Sequence, residues 1–311
     1  MRGSRRLTFV ALLIWACGML VSAVVPWPVI EGGRSALADL DTIGANAKAS
    51  AATPRILLIG SSPVVLGLSA EEIARATGLP TYNLGVWTAL FFFPEYLDRA
   101  MEFVRPDDIV ILSNPNWLNR QSPILGEGCI GKFSASCTLW RPRPLPDLVE
   151  FVKVLSGLWP TDFGVKRDPV GDLVTVRIRN GAETIPTLPY VGRISDGVVA
   201  DLAQAAARLR KLGACPLLTL GPIFVEPKER DRWLGEQSAA EARVAELGLS
   251  ASVITDGMVN TDRSLFLDGF EHPAPSERVI WTRRVVERLV SPTQSPCSRS
   301  LAKAEHSLNQ S

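Results

Sequence analysis

The chain has 311 residues, 46% of them apolar and 21% charged, with a formal net charge of +1. That length and composition admit one large globular domain or two smaller ones. The near-neutral balance gives no electrostatic footprint for nucleic acid. With two histidines and no CxxC pair, a zinc site is not expected. No other metal or cofactor is expected either.

Arg2, Arg5 and Arg6 precede residues 7–25, a stretch without a charge. Its length approaches the ~20 residues that cross a bilayer and exceeds the ~7–15 residue core of a cleaved signal. The basic flank places the N-terminus in the cytoplasm and the remainder outside. Residues 1–25 therefore read as a signal-anchor, giving a single-pass membrane protein with an exported, periplasmic domain. Cleavage at Ala36-Leu37-Ala38, giving a secreted chain, is the alternative, although that site lies far beyond the apolar core. Trp15, two positions before Cys17, argues against a lipoprotein signal.

Residues 26–54, rich in Ala, Gly and Pro, read as a linker. From residue 55 strands and helices alternate. The run "ILLI" at 56–59 is apolar throughout, as in strands of parallel sheets buried on both faces. A helix is expected near 69–77, a short strand at 81–84, a helix around 94–104 and a third strand within 107–116. Residues 117–193 break this rhythm and read as an insertion or cap. They hold Cys129 and Cys137, which an exported chain could join as a disulfide. They also hold a hairpin-like stretch whose Asn180-Gly181 favours a tight turn.

Alternation then resumes. Val199, Leu202, Ala206 and Leu209 make one helical face. A strand follows at 215–222, a polar helix at 234–247, a strand at 251–257 and a last helix at 276–290. Cys215 and Cys297 complete the cysteines outside the apolar span. Five strands alternating with helices predict an α/β, doubly wound (flavodoxin-like) parallel sheet over 55–290, with the insertion after the third strand. The polar tail, 291–311, reads as disordered.

In such a sheet ligands collect at the carboxyl ends of the strands. Ser61 and Ser62 follow the first strand, and each can be a helix cap or a functional hydroxyl. His306 lies in the polar tail, which leaves His272, between the last core strand and the last helix, as the histidine able to serve as a base. A serine nucleophile requires a base within hydrogen-bond reach and an acceptor that orients that base.

Four blocks in chain order resemble the SGNH (GDSL-type) hydrolase superfamily. They are Gly60-Ser61-Ser62, "YNLGV" at 82–86, "SNPNW" at 113–117 and "DGFEH" at 268–272. The resemblance covers residues 55–116 and 197–290. It implies Ser62 as nucleophile, His272 as base and Asp268 as the residue that orients the base. It also implies an oxyanion hole made by the Ser62 and Gly85 amides and the Asn116 side chain. Asp268 and His272 are four apart, one more than the family spacing. Ser61, Asn114, Glu271 and Asp262 remain competitors for these roles, and a plain turn glycine is the alternative for Gly85. Trp87 and Trp117 suit either a sugar platform or the core.

The membrane segment and the Gly-Ser-Ser variant look most like envelope members linked to polysaccharide O-acylation. The implied activity is a serine esterase or O-acyltransferase acting on acyl esters of envelope polysaccharide. The implied partners are an acylated glycan or acyl donor, a membrane-bound O-acyltransferase, and the membrane itself. A lipase or thioesterase, and a non-catalytic scaffold in glycan assembly or export, are the alternatives.

Overall fold

The computed structural model describes residues 31–52, 54–86, 93–113, 164–177, 196–219, 221–247, 253–254, 259–267, 272–291, 297–298 and 300–302. Its helices are α1 (Glu31–Ala49), α2 (Ser62–Gly67), α3 (Ala70–Thr77), α4 (Phe93–Met101), α5 (Asp196–Lys211), α6 (Arg230–Glu246) and α7 (Pro275–Val290). Its strands are β1 (Ile56–Ile59), β2 (Thr81–Asn83), β3 (Ile109–Leu112), β4 (Gly164–Arg167), β5 (Leu173–Arg177), β6 (Cys215–Thr219), β7 (Ile223–Phe224), β8 (Val253–Ile254) and β9 (Val259–Asn260).

Five strands form one parallel sheet in the order β2-β1-β3-β6-β8. Alternate residues of each strand face opposite sides, because the side-chain period of a strand is two. Leu57, Ile59, Val110, Leu112 and Leu218 pack with residues of α1, α4, α5 and α6. Ile56, Leu58, Ile109, Ile111 and Leu217 pack with residues of α2, α3 and α7. Burial on both faces explains why the central strands are apolar throughout. The fold is α/β, a parallel sheet flanked by helices, consistent with a doubly wound arrangement.

Residues 31–49 correct the linker expectation. They form α1, whose Leu40, Ile43 and Ala47 are buried against the sheet. A buried ion pair fixes its end. Arg55 and Asp108 are both fully buried, with Arg55 Nε 3.1 Å from Asp108 Oδ1. The same guanidinium donates to Ala47 O in α1 and to Phe103 O beyond α4, the latter at 3.1 Å.

The tail also departs from expectation. Cys297 is disulfide-bonded to Cys215 at the start of β6 and packs with Leu289 and Leu301. Docking therefore replaces the expected disorder in this part of the tail. Cys129, Cys137 and the Asn180-Gly181 turn lie outside the described residues. The hairpin that is described pairs β4 with β5 around residues 168–172. The apolar span at 7–25 is likewise outside them, and among the described residues no helix is long and apolar enough to cross a membrane.

Candidate active site

β1 ends at Gly60, where a side chain has no room. A Cβ there would lie 2.6 Å from Ser113 O and 2.4 Å from Val64 Cγ2. The chain then turns through Ser61 into α2, with Ser61 as the N-cap residue and Ser62 as the first helical residue. Ser61 makes no side-chain cap bond, and its buried Oγ has no partner among the described residues. The capping explanation for two hydroxyls at this turn therefore lacks its hydrogen bond. Ser62, 8% exposed, directs its hydroxyl elsewhere.

Its partner is His272, whose Nε2 lies 3.0 Å from Ser62 Oγ. The two residues are 210 positions apart in the chain. A narrow antiparallel arm supports the histidine. Leu267 N donates to His272 O at 2.8 Å, Phe266 bridges to Pro273, and Ala274 N donates to Leu265 O at 2.7 Å. With the imidazole proton on Nδ1, Nε2 accepts from the serine hydroxyl, the arrangement that general-base activation requires.

β2 leads to the second expected block. The Gly85 amide, expected to face an oxyanion, donates instead to Asn83 Oδ1 at 3.1 Å. Asn83 is fully buried, and its Nδ2 donates to Val64 O and Leu68 O, both at 3.2 Å. One amide side chain thus ties α2 to the end of β2. Tyr96 makes a parallel link. Its hydroxyl accepts from Gly60 N at 2.8 Å and donates to Leu84 O at 2.9 Å. Burial raises the Tyr96 pKa well above the ordinary phenol value, so this hydroxyl stays a neutral structural donor.

Arg167 at the end of β4 closes over the same loop. It donates to Gly85 O at 2.7 Å, to Gly171 O at 2.8 Å and to Asn83 O. Desolvation by burial lowers its pKa, with nearby Asp39, Tyr96, Asp172 and Asp168 opposing that shift. Among the described residues no cluster of His, Cys, Asp or Glu could hold a metal ion.

The structure thus brings Ser62 and His272 together and places Gly85 beside Val64 and Val65 of α2 with its amide bonded to Asn83. Asn114, Asn116, Trp87, Trp117, Asp268 and Glu271 lie outside the described residues. Asp262 is the exposed cap of a short 3-10 turn, accepting from Ser264 N at 2.9 Å, and its pKa is lowered by those Ser264 bonds. Asn83, Tyr96 and Arg167 were not anticipated. Of these only Asn83 carried a local signal, as a polar residue inside an otherwise buried strand. No family model matches the chain, and no curated protein matches it in sequence.

Proposed function

We propose that this chain is an exported, membrane-anchored serine esterase or O-acyltransferase of the SGNH type, acting on acyl esters of an envelope polysaccharide. The observation that carries this reading is the 3.0 Å contact between Ser62 Oγ and His272 Nε2. The fold is read as flavodoxin-like, with residues 117–193 inserted after the third strand of the sheet. The contact falls at the carboxyl end of β1, where open parallel sheets collect ligands. A disulfide between Cys215 and Cys297 suits an oxidising compartment, in keeping with export.

The chemistry proceeds in two halves. Ser62 Oγ forms a bond to the ester carbonyl carbon as its proton passes to His272 Nε2. The carbonyl oxygen becomes an oxyanion. As the tetrahedral intermediate collapses, the bond to the leaving alcohol breaks and His272 returns the proton to that oxygen. Water or a sugar hydroxyl then attacks the carbonyl carbon of acyl-Ser62 as His272 takes its proton; the bond from that carbon to Ser62 Oγ breaks and His272 returns the proton to Ser62 Oγ, giving hydrolysis or transfer respectively. The Ser62 amide, as the first of its helix, has no intrahelical acceptor and can donate to the oxyanion. Asn116 is the proposed second donor, and Asp268 the proposed acceptor that orients the imidazole.

Labelling with a fluorophosphonate probe tests this directly. The wild-type chain should label, while Ser62→Ala and His272→Ala should not, with the thermal midpoint nearly unchanged in both. Undiminished labelling of Ser62→Ala would sink the assignment. The engaged Gly85 amide favours a second reading, a non-catalytic scaffold, which predicts no labelling of any variant.

A further inference from the structure

The Ser62 and His272 arms meet again beyond the hydroxyl and the imidazole. Gly67 ends α2, and a Cβ there would lie 2.3 Å from Trp281 Cε3 and 3.0 Å from Pro273 Cγ. Pro273 adjoins the histidine, and Trp281 belongs to the helix that follows it. Immediately after Gly67, the chain at Leu68 and Ser69 is bonded to the same helix. Ser69 N donates to Thr282 Oγ1 at 3.1 Å, and Arg278 Nη2 donates to Leu68 O at 3.3 Å.

A third element completes this junction. Asp172, at the end of the β4–β5 turn, is 7% exposed. Its Oδ2 accepts from Ser69 Oγ at 2.8 Å and from Glu71 N at 3.1 Å. Its Oδ1 accepts from Leu173 N at 3.2 Å and from the Arg278 guanidinium. Arg278 N in turn bonds Ala274 O at 2.9 Å, one turn back toward His272. One buried carboxylate therefore grips the segment leaving Ser62 and the helix leaving His272.

We propose that Asp172 is a positioning residue for acyl transfer: carried by the β4–β5 hairpin, it sets the separation of Ser62 and His272 by clamping the two arms behind Gly67. This rests on the Ser–His reading of the site. A hairpin remote in sequence from both residues thereby controls whether the hydroxyl lies within reach of the base. The sensitivity is steep, since a misplacement of about 1 Å can lower turnover about 100-fold.

The test uses the full chain carrying His306→Gln, so that His272 supplies the single imidazole signal by NMR. Two quantities are read: the rate of fluorophosphonate labelling, and the change in the His272 Cε1–H shift caused by Ser62→Ala. Asp172→Asn keeps the shape of the side chain but weakens its hold on Arg278. It should lower labelling about 100-fold and abolish the response of the His272 signal to Ser62→Ala, with native near-ultraviolet dichroism. Gly67→Ala, which wedges the arms apart from the other side, should do the same and serves if Asp172→Asn fails to fold. A shift response that persists in the folded variant overturns the positioning role, whatever the labelling shows. An unlabelled wild type whose response depends on Asp172 would overturn the esterase reading alone and leave the clamp standing.

Discussion

Where the strands of the sheet begin, Arg55 and Asp108 are fully buried against one another, and Cys215 is bonded to Cys297. Where they finish, Ser62 meets His272 across 3.0 Å, and Ser61 keeps a buried hydroxyl without a partner among the described residues. At the first end the Arg55 guanidinium and the Asp108 carboxylate are covered by several hydrogen bonds, and one covalent bond joins distant parts of the chain. At the second, hydroxyls and backbone amides collect with partners that a substrate could exchange. Buried polar groups are normally satisfied, so an exception marks a place where something other than stability set the residue. The difference gives one end of the sheet the groups that hold the fold and the other the groups on which the proposed chemistry rests.

The strongest way to break this division is to attack the holding end. Replacing Arg55 with Met leaves the Asp108 carboxylate buried with, among the described residues, only the residue-55 and Arg105 backbone amides as donors. It also removes the links to Ala47 and Phe103. Breaking a buried pair by removing one partner typically costs ~3–5 kcal/mol. Urea denaturation should show a loss of that order, and α1 should become the first segment to exchange its amides. Probe labelling by the fraction that stays folded should be unchanged. Labelling lost at full stability would mean the two ends are not separable.

The disulfide comes next. Cys297→Ser opens a covalent loop that joins residues 82 apart, and a bond of this kind typically contributes ~2–4 kcal/mol. The thermal midpoint should fall on substitution, and reductant should lower the wild type to the same value. An unmoved midpoint under both treatments would show that the tail is held by packing of Cys297 and Leu301 alone.

The two ends were unequally legible in the sequence. The end that carries Ser62 was readable because the first block sits where the buried strand β1 stops. Ile56–Ile59 has no polar residue until the turn, and the order of blocks paired Ser62 with His272 across the chain. The holding end was not. Arg55 reads as an ordinary residue before a strand, and nothing local to it indicates Asp108. Residues 31–49 read as a linker because glycines lower helix propensity. Gly44 instead admits the Phe103 ring, which a Cβ would meet at 2.4 Å. Cys215 and Cys297 have no spacing signal, and the cysteines that do, Cys129 and Cys137, lie outside the described residues. Asp172 was hidden for the same reason: its partners Ser69 and Arg278 are more than a hundred residues away on either side. Patterns of period two and 3.6 report burial, whereas polar partnerships across elements follow from topology.

Glu277, in the first turn of α7, gives the smallest and sharpest test of the contrast. It is fully buried. Oε2 accepts from Asn260 Nδ2 at 3.4 Å, Oε1 has no hydrogen-bond partner among the described residues, and Arg284 lies 4.0 Å away. Burial raises its pKa above the ordinary value of 4.5, and Arg284 only partly opposes this. A carboxyl with a raised folded pKa keeps its proton in the native state over a range in which the unfolded chain has lost it. Its contribution to stability is therefore complete below that ordinary value and is lost as pH rises through the folded pKa. Glu277→Gln keeps the acceptor for Asn260 and removes the ionisation. The urea midpoint of the variant should therefore decline less than that of the wild type between pH 4.5 and pH 8, with the two converging at pH 4. Parallel curves would mean that Arg284 already compensates the charge, and that Glu277 belongs with the well-partnered groups of the holding end.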